Sequence, residues 1–233
     1  MAKKMKKRTK IKFIPLIILI LLLIIVFFLV SFFMNVKIQN IYVYGNNILS
    51  DQEIIEISGI ENYPSFIQTS TSRIEDKLKK NEYIQEVKVK KTLIATINIR
   101  ITEYAPLFEK DGKIVVDNNI EIVPDRIIEN IPVLVNYVPD TVYSEFVLEM
   151  KAVTSNIRNK ISNIEYSPND YDKERFLLYM NDGNKVYVTL AKDKETKKSK
   201  FNLINKYDEI YPRLGGKKGI LNLDSGNHFD IKG

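Results

Sequence analysis

Cysteine and tryptophan are both absent from this 233-residue chain, and histidine occurs once, at His228. Without cysteine there is no disulfide, no thiol nucleophile, no zinc–thiolate site and no iron–sulfur cluster. One histidine cannot build a His-rich metal site, and His228 falls in a Gly/Asn/Asp-rich stretch where a solvated side chain is expected. A Ser/His/Asp triad would have to recruit it, yet no serine stands in a G-x-S-x-G elbow. A membrane-anchored Ser/Lys hydrolase needs neither residue, but Ser31 lies inside an apolar run and Ser50 reads as a helix cap. The stretch LGGKKG lacks the spacing of a phosphate loop. Glu103, Asp111, Asp117 and Asp125 fall at strand ends and turns, where an aspartate bonds its own backbone. No catalytic constellation emerges, so the expectation is no enzyme, no cofactor and no metal.

Negative charge is missing from the start of the chain. Lys3, Lys4, Lys6, Lys7, Arg8, Lys10 and Lys12 precede the uninterrupted apolar run from Phe13 to Met34. Such a run makes a helix of roughly 33 Å, enough to cross a hydrocarbon core of about 30 Å. The basic flank predicts a head in the cytoplasm and everything after Met34 outside. A cleaved signal peptide is the rival, but its apolar stretch would be shorter and followed by a small-x-small site, which SFFMNVKI does not offer. Beyond the head, 28 basic residues face 29 acidic ones, so the net charge of +6 reflects topology and not a nucleic-acid partner. The same cations would also favour anionic lipid on the inner leaflet.

The remainder reads as two α+β units. KIQNIYVY predicts a strand, Gly45-Asn46-Asn47 a turn, and Ser50 with Glu53 a capping box opening a short helix. Ser72 with Glu75 predicts a second capping box for a helix carrying Ile74 and Leu78. Val87 and Val89 alternate with lysines. Leu93, Ala95, Ile97, Ile99 and Ile101 then alternate with polar residues, the clearest half-buried strand in the chain. A boundary is expected near Glu103 to Pro106. The second unit opens with a meander of short strands around Asp111-Gly112 and Asp117-Asn118-Asn119. IPVLVNYVP reads as an irregular or edge segment. Residues 142–159 read as one amphipathic helix, and strands are expected at Ile161–Tyr166, Phe176–Met180 and Lys185–Leu190. A further helix is expected over 195–211, and ILNLD as a closing strand. Lys192, Lys194, Lys197, Lys198 and Lys200 read as a loop, a helix start or a solvated face, with contact to anionic cell-wall polymer as the functional alternative. Thirteen tyrosines suit protein interfaces, where a rigid amphipathic ring covers area at low entropy cost.

Ile41, Val43, Gly45 and Asn46, followed by the helix opened at Ser50, resemble the start of a POTRA domain directly outside a membrane span. Ile74, Leu78, Val87, Val89, Leu93, Ile99, Ile101, Glu103 and Pro106 continue the pattern of the bacterial cell-division family FtsQ/DivIB. Asp111-Gly112, Ile131-Pro132-Val133-Leu134, Asp182-Gly183 and the strand Ile220 to Asp224 extend the resemblance over nearly the whole chain. Two departures stand out. The turn before the third POTRA strand reads Lys90-Lys91-Thr92 where the family often has proline, and Ser225-Gly226-Asn227 stands where an arginine is common.

The resemblance implies an α+β architecture: a basic head over 1–12, a transmembrane helix over 13–34, a βααββ POTRA domain over 35–104 and a mixed, antiparallel-rich C-terminal β domain over 105–233. It further implies a non-enzymatic scaffold at the division septum. Such a scaffold binds FtsL and DivIC/FtsB-type proteins outside the membrane and helps control septal peptidoglycan synthesis, with septal peptidoglycan synthases as further candidate partners. Strand addition at a free sheet edge is the physical route, and Ile220, Leu221, Asn222 and Leu223, read as the outermost strand, are the expected contact residues. A membrane-anchored cell-wall enzyme and a POTRA-bearing translocation component are the alternatives.

Overall fold

In the computed structural model, which describes residues 13–92, 95–117, 120–193 and 199–231, the apolar run forms α1 (Phe13–Met34), one uninterrupted helix of 22 residues. Its side chains are exposed throughout, and it is long and apolar enough to cross a membrane. Pro15 sits in the first turn, where its missing N–H has no intrahelical role. The basic head, Leu93, Asn118, Asn119 and the lysines at 194, 197 and 198 lie outside the described residues. The chain folds as two compact units, Met1–Glu103 and Tyr104–Gly233.

No free linker follows α1. The Ser65 hydroxyl donates to the Met34 carbonyl at 2.5 Å, the Phe66 amide donates to Val36 at 2.8 Å, and the Ile38 amide donates to Pro64 at 3.0 Å. Then come β1 (Asn40–Tyr44), α2 (Asp51–Ser58), α3 (Thr71–Leu78), β2 (Ile84–Thr92) and β3 (Thr96–Glu103). The sheet order is β1-β3-β2, with β3 parallel to β1 and antiparallel to β2. Strict alternation makes β3 the centre. Ile97, Ile99 and Ile101 are buried while Arg100 and Thr102 face water. Ile54 of α2 and Ile74 and Leu78 of α3 are buried with them.

Carboxylates tie this unit together by accepting backbone amides. Ser50 and Glu53 form the expected capping box at α2. The second expected box does not form, because Ser70 caps α3 two residues earlier, accepting from the Arg73 amide. Glu75 is thereby free to accept the Val89 amide at 2.8 Å, pinning helix to edge strand. Glu103, at the end of β3, accepts three successive amides, from Asn47 at 2.7 Å, Ile48 at 2.7 Å and Leu49 at 2.9 Å. Gly45 makes this closure possible. Its φ is +87°, and a Cβ there would lie 2.2 Å from the Ile101 carbonyl oxygen.

The second unit contains β4 (Phe108–Lys110), β5 (Lys113–Asp117), β6 (Ile120–Ile122), β7 (Val133–Leu134), α4 (Asp140–Ala152), α5 (Ser155–Arg158), β8 (Ile161–Tyr166), β9 (Arg175–Met180), β10 (Lys185–Thr189), α6 (Tyr207–Ile210), β11 (Gly219–Asn222) and β12 (His228–Ile231). All nine strands join one sheet, in the order β12-β11-β10-β9-β8-β7-β4-β5-β6. One face is covered around α4. Phe146 stacks on Phe176 of β9 with ring centres 4.5 Å apart, and Phe201 meets both edge-on at 5.9 Å.

Three expectations for this unit need correction. The helix expected over 142–159 divides, since Val153 is extended and the buried Arg158 guanidinium donates to the carbonyls of Val153 (2.6 Å) and Met150 (3.3 Å), capping α4. Desolvation lowers the pKa of that guanidinium from its ordinary value. The helix expected over 195–211 is a 3-10 stretch at Lys200–Lys206 followed by the single turn of α6. β7 is not an edge. It lies between β4 and β8, parallel to both, and Pro132 just before it contributes only its carbonyl, which accepts from Glu109 at 2.8 Å.

Three substitutions test the first unit. Ile99→Asp should cost several kcal/mol or force the carboxyl to stay neutral, while Arg100→Asp should leave the melting temperature nearly unchanged; equal effects would refute the register. Glu103→Gln retains one acceptor oxygen where two now serve three amides, and should lower stability by about 2 kcal/mol in urea melts.

Candidate functional site

No group of three or more His, Asp or Glu side chains is arranged to hold a metal among the described residues. The carboxylates singled out in the sequence are dispersed. Glu103 grips the turn above, Asp111 adopts positive φ in its turn, and Asp117 pairs with Lys151 at 2.5 Å. What stands out instead is the β12 end of the nine-stranded sheet.

That end is built by a buried polar junction. The β9–β10 hairpin turns at Asn181–Asn184, where Gly183 has a φ of +90°. The Tyr207 hydroxyl donates to Asp182 at 2.7 Å and accepts from Asn184 at 3.0 Å, while Asn184 accepts the Gly219 amide at 3.0 Å. Burial and Asp182 raise the Tyr207 phenol well above its ordinary pKa, so it remains a donor. β11 is thereby laid parallel to β10, in register Val186 with Leu221. A Cβ on Gly219 would meet the Asp230 carbonyl oxygen at 2.1 Å, so the absent side chain admits the next strand.

The next strand overturns one expectation. Ile220 to Leu223 is not the outermost strand, because β12 returns antiparallel and pairs with it from Gly219–Ile231 to Asn222–His228. Residues 220–223 do come together, but on a covered strand. Leu221 and Leu223 point into the core, Asn222 is buried with its amide donating to Asp230 at 2.8 Å, and only Ile220 is half-exposed. The outer edge belongs to His228, Phe229, Asp230 and Ile231, with Phe229 packed on the core and Ile231 56% exposed. HFDI is too short to show alternation. Its signal is the turn before it, Asp224-Ser225-Gly226-Asn227, in which Asn227 has positive φ.

Beside this edge, the sheet face opposite the core is laced by charge and aromatic contacts. Arg175 pairs with Asp224 at 2.7 Å and lies 3.4 Å from the ring centre of Tyr187. Lys200 donates to the Asp224 carbonyl at 3.1 Å. Tyr179 donates to Glu165 at 2.6 Å, a bond that raises its pKa to about 12, and Lys185 stands over its ring.

A family model described as "POTRA domain, FtsQ-type" matches residues 36–104. The chain is 29% identical over 201 residues to the cell division protein DivIB of Bacillus subtilis, covering 83% of this chain and 74% of that one. The corresponding protein of Listeria monocytogenes is 29% identical over 201 residues, covering 83% and 72%. Residues 36–104 thus match the FtsQ-type POTRA domain, and over most of its length the chain is similar to DivIB proteins. Among solved structures, the major extracytoplasmic domain of DivIB from Geobacillus stearothermophilus aligns at a TM-score of 0.35 and 17% identity, over 49% of this chain and 92% of that one. The α+β class and the βααββ unit expected from the family pattern are present. Asp224 finds its cation across the sheet in Arg175.

Nothing in the sequence assigns Asp224 a chemical role, yet its environment makes it a structural anchor. Its side chain is 7% exposed and Arg175 is 16% exposed, so removing one partner strands a mostly buried charge. Asp224→Ala should destabilise the protein by about 3 kcal/mol in chemical denaturation, whereas His228→Ala, exposed on the edge, should change stability by less than about 0.5 kcal/mol.

Proposed function

We propose that this chain is a non-enzymatic, bitopic component of the cell-division machinery, with a cytoplasmic head, one span, and a POTRA unit and a C-terminal β unit outside the membrane. In this reading it captures FtsL and DivIC/FtsB-type partners and helps control septal peptidoglycan synthesis. The relationship to proteins named for cell division supports the process. The outer side of β12, which pairs with no further strand among the described residues, supports the mode, because a row of free N–H and C=O groups accepts an extended segment through main-chain bonds. The contact site moves accordingly from Ile220–Leu223 to the strand that covers it, and the four inner residues serve to hold that strand in place.

Partner capture from membranes tests the mode. Ending the full-length chain after Asn227 removes β12 and should abolish capture of the DivIC/FtsB-type partner, while circular dichroism stays within reach of the intact protein. Phe229→Pro and Asp230→Pro each delete one amide, one facing β11 and the other facing outward, so one of the pair should lose capture with little loss of fold. Normal capture by the folded shortened chain would eliminate the edge as the site.

Protease applied to intact, wall-stripped cells tests the topology. Residues 37–233 should be digested and the head spared; full protection of the C-terminal part would reverse the orientation and remove the division role with it.

A further inference from the structure

Several cations on the sheets of this protein are compensated by a nearby acid or aromatic ring. Lys113 faces Glu121 at 3.1 Å, Arg175 faces Asp224 at 2.7 Å, and Lys110 and Lys185 stand over tyrosine rings. The open face of the β1-β3-β2 sheet breaks this rule. Its register sets Arg100 directly opposite Lys88, with Tyr44 in the same row on the other side, and sets Asn98 between Lys90 and Tyr42 in the next row. Like charges directly opposed across a ladder are destabilising. Lys88, Lys90 and Arg100 make no ion pair among the described residues, and all three are exposed. Glu86, one row beyond Lys88 and opposite Thr102, is the one acid on this face among the described residues.

Shape and position narrow the ligand. Tyr44, Lys88, Lys90, Asn98 and Arg100 line a shallow depression of about 310 Å³. Ladder bonds occupy the backbone of the central strand, so recognition on this face must come from side chains. Lys88 and Lys90 lie roughly 7 Å apart along the strand, and Arg100 sits one strand spacing, about 5 Å, from Lys88. Tyr42 and Tyr44 are each about half exposed, at 50% and 48%, with ring centres 6.5 Å apart, offering apolar faces beside the cations. The row nearest the span, Asn40 with Thr96, carries no charge, and the cations lie toward the end of β1 that is farther along the chain from α1. Charge that grows away from the span favours a ligand in the envelope over the bilayer surface.

We propose that this face binds a polyol-phosphate polyanion of the cell envelope, its phosphates on Arg100, Lys88 and Lys90 and its polyol carbons against Tyr44 and Tyr42. The inference goes beyond partner capture and shares with it only the reading that the unit lies outside the membrane. The full chain in nanodiscs of zwitterionic lipid would be titrated with a fluorescent poly(glycerol phosphate) oligomer and followed by anisotropy. Binding should weaken as salt is raised, fall at least about tenfold in Lys88→Glu/Arg100→Glu, and fall severalfold in Tyr44→Ala. Lys173→Glu/Lys192→Glu, on exposed cations of the other unit, should bind as the parent does. Arg100→Glu alone should melt no lower than the parent, since it sets opposite charges in register with Lys88, which separates loss of binding from loss of fold. Absence of binding, equal loss in both double variants, or equally tight binding of polyglutamate of matched length would overturn the proposal. So would shielding of Lys88 and Lys90 from acylation by anionic nanodiscs without any polyanion binding, which would assign the face to lipid. Partner capture should persist in Lys88→Glu/Arg100→Glu; its loss would assign the face to the partner instead.

Discussion

One-sided burial of alternating strands is the constraint on which both units rest. With no cross-link available, each sheet is held by apolar burial of the face its helices cover; the first sheet leaves its other face wet, whereas in the second Val116 and Leu177 are buried on the opposite face as well. Ile97, Ile99 and Ile101 lead inward along β3 while Asn98, Arg100 and Thr102 lead outward, and the same division runs along β9 through Phe176 and Leu178 against Arg175 and Tyr179. The chemistry open to the protein is therefore concentrated on uncovered faces and on strands that lack a neighbour.

Polar groups organise what the apolar faces leave undetermined. A carboxylate in this protein accepts backbone amides more usefully than it pairs with surface lysines. Glu75 and Glu103 each join segments far apart in sequence, and Glu53 starts a helix. In the second unit the same work is done by Asn184 and Tyr207, which place β11 against β10, and by Arg158, which ends α4. Hydrogen bonds to charged groups are stronger than neutral ones and directional, so they set register where burial alone sets only the face.

Legibility in the sequence follows periodicity. β3, the β9–β10 hairpin, the capping box at Ser50 and the apolar span each carry a pattern several residues long, and each stands where that pattern puts it. The second unit is harder to read where elements are short. β7 has two residues and is fixed by parallel neighbours on either side, and β12 has four behind a turn, so neither can announce itself. The cap expected at Ser72 stands two residues earlier because Ser70 offers the same chemistry. Ile220–Leu223 reads as the boundary strand only while β12 goes unseen, and the partner of Asp224 cannot be read from the sequence because Arg175 lies 49 positions away. Long-range pairing of that kind leaves no local trace.

Three hydrogen bonds at and just beyond the end of α1 tie the apolar helix to the first unit. Met34, Val36 and Ile38 are clasped by the segment from Pro64 to Phe66 within a few residues of the helix end. A swivel needs slack, and this junction has a clasp in its place. With the backbone bonded at Met34, Val36 and Ile38, hardly any unbonded chain separates the helix end from the first strand, so the helix and the sheet are joined without a spacer.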